Sequence, residues 1–445
     1  MNLSLYFLSL GCAKNTVDSE SMAALLVREG CRLVDSVDEA DVIIVNTCGF
    51  IEPAREESYS ELQRLAKQKS PEQLLIAAGC LTQRYGEEVA RQVPGIDGLL
   101  GTRRWMDIVH VVESLQKRDA PEPLYHLPDV DEIGNEDIDL PRTAIQGASA
   151  YLKIADGCSR PCAFCAIPLI KGPVVSRPPE RILADTRRLQ DSGVREINLI
   201  AQDTTAYGHD LGIKDGLAKL LEDLVEAAPQ VEWIRILYAY PGFVTDRLID
   251  VIANTPQVIP YIDIPLQHAH PDVLRRMRRP ANIERVHRTL AKVRRAMPEV
   301  ALRSTFIVGY PNETEQAFET LLEFVENVRF DRVGVFTFSP EIGTESESLG
   351  DPIPTQVKEE RHHRLMRLQQ QISLERNQSF VGDSLLVLTE GVGDGITLGR
   401  SYRDAPEIDG LVIIDGEHPL GEMLTVKIDS AMPYDLIGRV DAGII

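Results

Sequence analysis

Three cysteines fall within eight residues of this chain. Cys158, Cys162 and Cys165 stand in "DGCSRPCAFCAIP", spaced C-x3-C-x2-C. A closed structural zinc site wants four ligands, usually as paired C-x2-C knuckles, and no second knuckle occurs in the sequence. Zinc with a distant fourth ligand and buried structural thiols are the plain readings. A third is a 4Fe–4S cluster held by three thiolates, which leaves one iron open to a small molecule. The aromatic Phe164, directly before the last cysteine, would shield such a cluster from water. The spacing favours the open iron–sulfur site.

Chemistry of that kind needs a scaffold that presents a loop at a strand end. The chain has 445 residues, which suggests about three domains. From residue 150 onward, six apolar strands alternate with amphipathic helices. The strands are "AYLKIA", "REINLIAQD", "WIRILYAYP", "PYIDIPLQH", "LRSTFIVGYP" and "RVGVFTFSP". Six such units predict a partial (β/α)6 barrel, with its chemistry at the C-terminal ends of the strands. The cysteine loop follows the first of them.

The same alternation appears in the first 118 residues, in "LSLYFLSLG", "ADVIIVNTCG" and "QLLIAAGC" with their helices. It predicts a doubly wound α/β domain. Residues 119–149 are acidic and proline-rich without a period, and read as a linker or an irregular wrap. Residues 150–357 are assigned to the partial barrel and 358–379 to a connecting helix. Residues 380–445, with about five short strands and Gly-rich turns, are assigned to a small β-barrel. The predicted fold class is thus α/β with an additional C-terminal β-barrel.

Three of the remaining cysteines share a placement. Cys12, Cys48 and Cys80 each follow a predicted strand and each neighbours a glycine. Residues just past the strand ends of an open parallel sheet meet in one crevice, so these thiols are expected to converge as a second three-cysteine site. The bland alternative is three small buried hydrophobes. Cys31, in "EGCRL", lies at a helix-to-strand junction and reads as core.

The loop C-x3-C-x-aromatic-C after the first strand of a six-unit barrel resembles the radical S-adenosylmethionine superfamily. Together with Cys12, Cys48, Cys80 and a terminal β-barrel, the whole chain resembles the methylthiotransferase family, whose last domain is a TRAM domain. The resemblance implies two 4Fe–4S clusters and S-adenosylmethionine as cofactors, and replacement of a C–H hydrogen by a methylthio group. Cys158, Cys162 and Cys165 would carry the cluster that binds and cleaves S-adenosylmethionine. Cys12, Cys48 and Cys80 would carry the one that supplies sulfur. An external electron donor and a sulfur source are implied as partners.

Two branches of that family compete. One modifies the β-carbon of an aspartate in a small-subunit ribosomal protein; the other modifies a tRNA adenosine. The runs "SLGCAKNTVDSE", "NTCGFI", "AQDTTAYG", "DIPLQHA" and "DAPEIDG" resemble the ribosomal-protein branch. Ala13-Lys14 and Gly49-Phe50 stand where the tRNA branch tends to carry Gln-Met and Arg-Glu pairs.

Charge supplies an independent argument. The chain carries 68 Asp+Glu against 47 Lys+Arg, a formal net charge of -21. From 381 to 445, twelve acids face four bases, Arg400, Arg403, Lys427 and Arg439. RNA binding demands a basic face, so this segment suits a basic ribosomal protein, free or on the ribosome. Direct sequence-specific nucleic-acid binding is not expected. The exception is "RRMRRP", where Arg275, Arg276, Arg278 and Arg279 could meet RNA, acidic groups of the N-terminal domain, or only solvent.

Strand-end logic points Gln202, Asp203, Asp263, Gln267 and Thr305 toward the barrel mouth. Gly309, in "IVGYP", resembles the fifth-strand motif that lets backbone approach adenine. These are the candidate contacts for S-adenosylmethionine, although each also reads as core or strand cap. "AQD" stands where the superfamily has Gly-Gly-Glu, which loosens the assignment of the amino-group contact. A two-cluster electron carrier is the remaining alternative, and it would have no use for a six-unit barrel. No run of about 18 apolar residues occurs, and "MNLSLYFLSLGCAKN" reads as a strand rather than a signal peptide. No membrane partner and a cytoplasmic location are expected.

Overall fold

A computed structural model describes residues 1–118, 122–127 and 140–441. The acidic stretch 128–139 of the expected linker lies outside the described residues.

The first sheet is built from one buried run. Val42–Thr47, "VIIVNT", is buried at all six positions, as a strand covered on both faces must be. Val42 and Ile44 face one core with Leu5, Ile76 and Trp105. Ile43 and Val45 face the other with Leu62, Leu75 and Val89. Six parallel strands make the sheet: Arg32–Leu33, Ser4–Ser9, Val42–Thr47, Leu74–Gly79, Gly98–Gly101 and Leu124–His126, in that spatial order. The chain order reverses between Ser4–Ser9 and Val42–Thr47. This reversal is the topological switch point where open α/β sheets form their crevice. Cys31 is 5 % exposed and belongs to the first core.

The second sheet has six parallel strands in chain order: Ser149–Lys153, Glu196–Ile200, Trp233–Ile236, Val258–Asp263, Ala301–Val308 and Arg332–Thr337. Leu152, Leu199, Ile236 and Phe306 pack outward against the helices. Tyr151, Tyr261 and Ala301 face the opposite side, where Lys153, Glu196, Arg235 and Asp263 are also buried.

Residues 119–149 are more than a connection. Leu124–His126 adds a parallel strand to the first sheet, and Thr143–Gln146 pairs antiparallel with Ser149–Lys153. Ladder hydrogen bonds at two sheet edges hold these segments, so neither needs an apolar period of its own.

The 24-residue helix Thr355–Gln378 leads to a closed barrel of five strands spanning Ser384–Val440. Ion pairs fasten this barrel to the second sheet. Arg400 reaches Glu196 at 2.5 Å, Arg332 reaches Asp404 at 2.6 Å, and Arg403 reaches Asp331 at 3.1 Å. The Tyr261 hydroxyl donates to Asp409 at 2.6 Å. Two of the four bases of this barrel are therefore buried in the junction and do not face solvent.

Candidate functional site

Cys12 caps the helix Ala13–Arg28, Cys48 follows Val42–Thr47, and Cys80 begins the helix Cys80–Gln92. All three thus sit past the C-terminal ends of adjacent strands, two of them flanking the switch point. Gly11 has φ +101°, and a Cβ there would come within 2.9 Å of the Cys48 Cβ. The glycine lets the Cys12 and Cys48 loops touch. Asn15 ties the three loops together: its side-chain amide donates to Leu10 O at 2.8 Å and Thr47 O at 3.1 Å, and its oxygen accepts from the Cys80 thiol at 3.9 Å. Burial pushes the Cys48 thiol up. Burial pushes Cys80 up to about 12, against the pull of the nearby Lys171 ammonium, with Cys48 and Cys12 adding to the rise.

The barrel trio is set by a turn that only glycine fits. Gly157 has φ +70°, and a Cβ there would overlap the Pro173 carbonyl oxygen. Cys158 N donates to Gly172 O at 3.0 Å, and Ala163 N donates to Met277 O at 3.0 Å. Phe164 packs with Val273, Met277, Tyr310 and Phe338. Burial pushes Cys158 up to about 11 and Cys165 up to about 12.

Thiols raised this far stay protonated at neutral pH unless a cation draws them into the thiolate form. Among the described residues, no three His, Cys, Asp or Glu side chains close on a single ion. A four-iron cluster spreads its thiolates over different irons and asks for a wider triangle, so the donor chemistry fits a cluster better than a zinc ion. Buried polar atoms without partners lie on the side chains around the barrel loop: Arg160 Nη2, Gln202 Oε1 and Arg279 Nε. These donors and this acceptor fit a polar ligand beside the thiols.

Asp203 accepts from Arg160 Nε at 2.6 Å, which places the second strand end against the cysteine loop. Gln267 and Thr305 line a cavity of about 490 Å³. Asp263 is buried in an ion pair with Arg303 at 3.1 Å. Gly309 has φ +75°, donates its N–H to Glu313, and packs on Lys358. Among the residues lining this cavity are Phe50 and Ile51, just past Cys48, and Phe164, just before Cys165, together with Phe336.

The seam between the sheets is strongly charged. Asp18 accepts from Lys153 at 2.7 Å, from Lys171 at 2.9 Å and from Arg142. Burial alone would raise its carboxyl, but these three cations hold it well below the usual carboxylate range. Across the same seam Glu341 pairs with Arg55 at 2.5 Å and Arg84 at 2.7 Å.

The run "RRMRRP" meets none of the N-terminal domain's acids among the described residues. Arg275 pairs with Asp272 of its own helix and Arg278 with Glu345 at 2.8 Å. Arg279 is buried and turned to Cys162. Sequence reasoning overlooked Arg160 and Tyr240 near the loop. Arg160 sits inside the cysteine motif itself, which was the available signal.

Comparison with known proteins adds family relationships. Residues 4–101 match the uncharacterized protein family UPF0004, residues 152–325 the radical SAM superfamily, and residues 381–440 the TRAM domain. The chain is 48% identical to the ribosomal protein uS12 methylthiotransferase RimO of Chloroflexus aurantiacus, over 98% of this chain and 99% of the relative. It is 46% identical to the protein of that name from Roseiflexus sp., over 98% and 97%. Among solved structures, the radical S-adenosylmethionine methyltransferase TsrM of Kitasatospora setae superposes with a TM-score of 0.56 at 11% identity, over 92% of this chain and 82% of that one. That likeness is one of fold.

Proposed function

This chain belongs to the RimO family of ribosomal protein uS12 methylthiotransferases, and on that premise we propose that it places a methylthio group on the β-carbon of an aspartate in a basic small-subunit ribosomal protein. It is a radical S-adenosylmethionine enzyme by its central segment. The observation that carries the finer reading is the cavity of about 490 Å³, whose lining includes Phe50 and Ile51 near Cys48 and Phe164 beside Cys165. A substrate side chain held there would lie against residues that adjoin both cysteine sites.

Cys158, Cys162 and Cys165 would hold one 4Fe–4S cluster, and Cys12, Cys48 and Cys80 a second. When bound, the barrel's cluster and S-adenosylmethionine supply hydrogen abstraction from an unactivated C–H bond, and the second cluster supplies sulfur. Gln202 and Asp203 would meet the polar end of S-adenosylmethionine beside the barrel loop. Gln267 and Thr305 are among the polar residues that line the cavity. Asp263 and Gly309 act more remotely, Asp263 by fixing Arg303 and Gly309 by letting backbone pack on Lys358. Phe50, Phe164 and Phe336 give the cavity an aromatic lining. An external electron donor and a sulfur source complete the requirements. No helix among the described residues is long and apolar enough to cross a membrane. A substrate among the ribosomal proteins points to work in the cytoplasm.

A tRNA adenosine is the second substrate reading. The burial of Arg400 and Arg403 speaks against it, because it leaves only Lys427 and Arg439 as exposed bases on the C-terminal barrel. Arg439 is itself paired with Asp429 at 3.2 Å.

The test is turnover of the reconstituted protein with each substrate, read by mass spectrometry. One added methylthio group on the ribosomal protein is expected, and product only on tRNA overturns the reading. Cys158→Ala should abolish 5′-deoxyadenosine formation. Cys48→Ala should spare it while blocking sulfur insertion.

A further inference from the structure

Arg279 is a buried cation without a carboxylate. It is 8 % exposed, and among the described residues no Asp or Glu pairs with it. A guanidinium stays charged at any working pH, and burying a charge without a countercharge is unfavourable. Its partners are instead a carbonyl, a ring and a thiol. One terminal nitrogen donates to Pro265 O, and the other lies 3.5 Å from the Cys162 sulfur. The guanidinium carbon stands 4.2 Å from the centre of the Tyr240 ring. A charged donor is thus turned to one sulfur of the loop. Arg160, the other guanidinium over Tyr240, is different: Asp203 neutralises it at 2.6 Å. The geometry of Arg279 is well supported. Its N–H donates to Leu274 O at 2.8 Å, and the same turn accepts Ala163 N through Met277 O.

We infer that Arg279 is a positioning residue which, through Cys162, raises the reduction potential of the cluster held by the barrel. The inference rests on the reading that Cys158, Cys162 and Cys165 hold such a cluster. One electron from the external donor adds one negative charge to the cluster and its thiolates, and no bond breaks in that step. An unneutralised guanidinium stabilises the more negative form more than the less negative one, and hydrogen bonds to cluster sulfur act in the same direction. The N-terminal site has buried cations of its own: Lys171, matched by Asp18 and Asp156, and Lys14, over the Tyr238 ring at 3.2 Å.

The test uses the full-length chain with Cys12, Cys48 and Cys80 changed to Ala, so that only the barrel thiols bind iron. Iron and sulfide are counted, and the midpoint potential is read by reductive titration with electron paramagnetic resonance. Arg279→Met should shift the midpoint to a more negative value, and Arg279→Lys should restore most of it. Equal iron content with an unchanged midpoint in Arg279→Met overturns the inference alone. If Arg279→Met fails to hold iron, an unchanged midpoint in Arg279→Gln overturns it. A reference chain that binds no iron overturns the ligand assignment beneath it.

Discussion

The Lys171 ammonium donates to the Asp18 carboxylate at 2.9 Å across the seam between the two sheets. Asp18 lies on the helix that follows Cys12, and Lys171 ends the short helix that follows Cys165. The ion pair therefore links the elements that carry the two cysteine sites. Lys153 and Asp156 extend it at 2.6 Å, so two carboxylates face three cations in a buried network.

Replacing Asp18 by Asn should leave Lys153, Lys171 and Arg142 with Asp156 as their only acid. Breaking a buried pair from one side costs about 3–5 kcal/mol. A lower urea midpoint at neutral pH is expected, and equal midpoints for the two proteins would count against the network. The pH dependence has a definite sign. The Asp18 carboxyl is depressed in the folded state, so its contribution is present above the ordinary carboxylate value and is lost as pH falls through the folded one. The Asn variant should show a flatter loss of stability in acid than the parent.

The junction with the C-terminal barrel makes a similar prediction with a clearer window. Glu196 is fully buried between Arg400 and Arg235. Burial would raise its carboxyl, but the two guanidinium groups bring it down to about 2 from the ordinary 4.5. Its contribution is complete above pH 4.5 and fades between there and about pH 2. Arg400→Met should cost about 3–5 kcal/mol by leaving Glu196 under-compensated. It should also expose the segment around 379–383 to limited proteolysis. An unchanged thermal midpoint and an unchanged cleavage pattern would refute a role in docking.

Gly157→Ala forces a Cβ onto the Pro173 carbonyl at φ +70°. The turn must move, and Cys158 moves with it. The reconstituted variant should hold about half the iron of the parent by the cofactor reading, with far-UV circular dichroism unchanged. Full iron retention would show that the loop tolerates the shift.

Net charge of -21 should attract a basic protein substrate from a distance. The Debye length shortens from about 10 Å at 0.1 M salt to about 3 Å at 1 M. KM for the ribosomal protein should therefore rise several-fold with ionic strength while kcat stays nearly constant. Competition by free tRNA at low salt would be the contrary result.

Much of the site was legible because its residues sit at positions that parallel sheets make special. Cys12, Cys48 and Cys80 could be grouped from the strands before them, and Cys158, Cys162 and Cys165 from their own spacing. The strands Arg32–Leu33, Gly98–Gly101, Leu124–His126 and Thr143–Gln146 were not legible. They are two to four residues long, shorter than any periodicity, and neighbouring ladders hold them. The basic run 275–279 was legible as charge but not as chemistry, since nothing local distinguishes Arg278 on the surface from Arg279 in the interior.

The amino-acid order by itself determined the alternation of strands and helices, the two sets of thiols and the acidic balance, because each of these is a local pattern or a composition. Only the tertiary structure decided which charges face water. Arg400 and Arg403 look like surface bases of a small barrel, yet both are about 1 % exposed against Glu196 and Asp331. Asp18 looks like a helix-surface acid, yet it is enclosed by three cations brought from residues 142, 153 and 171. Such pairings join positions 72 to 204 residues apart. The packing of whole sheets sets the distance between them, and distance and burial decide whether a charge is solvated, paired or turned toward a thiol.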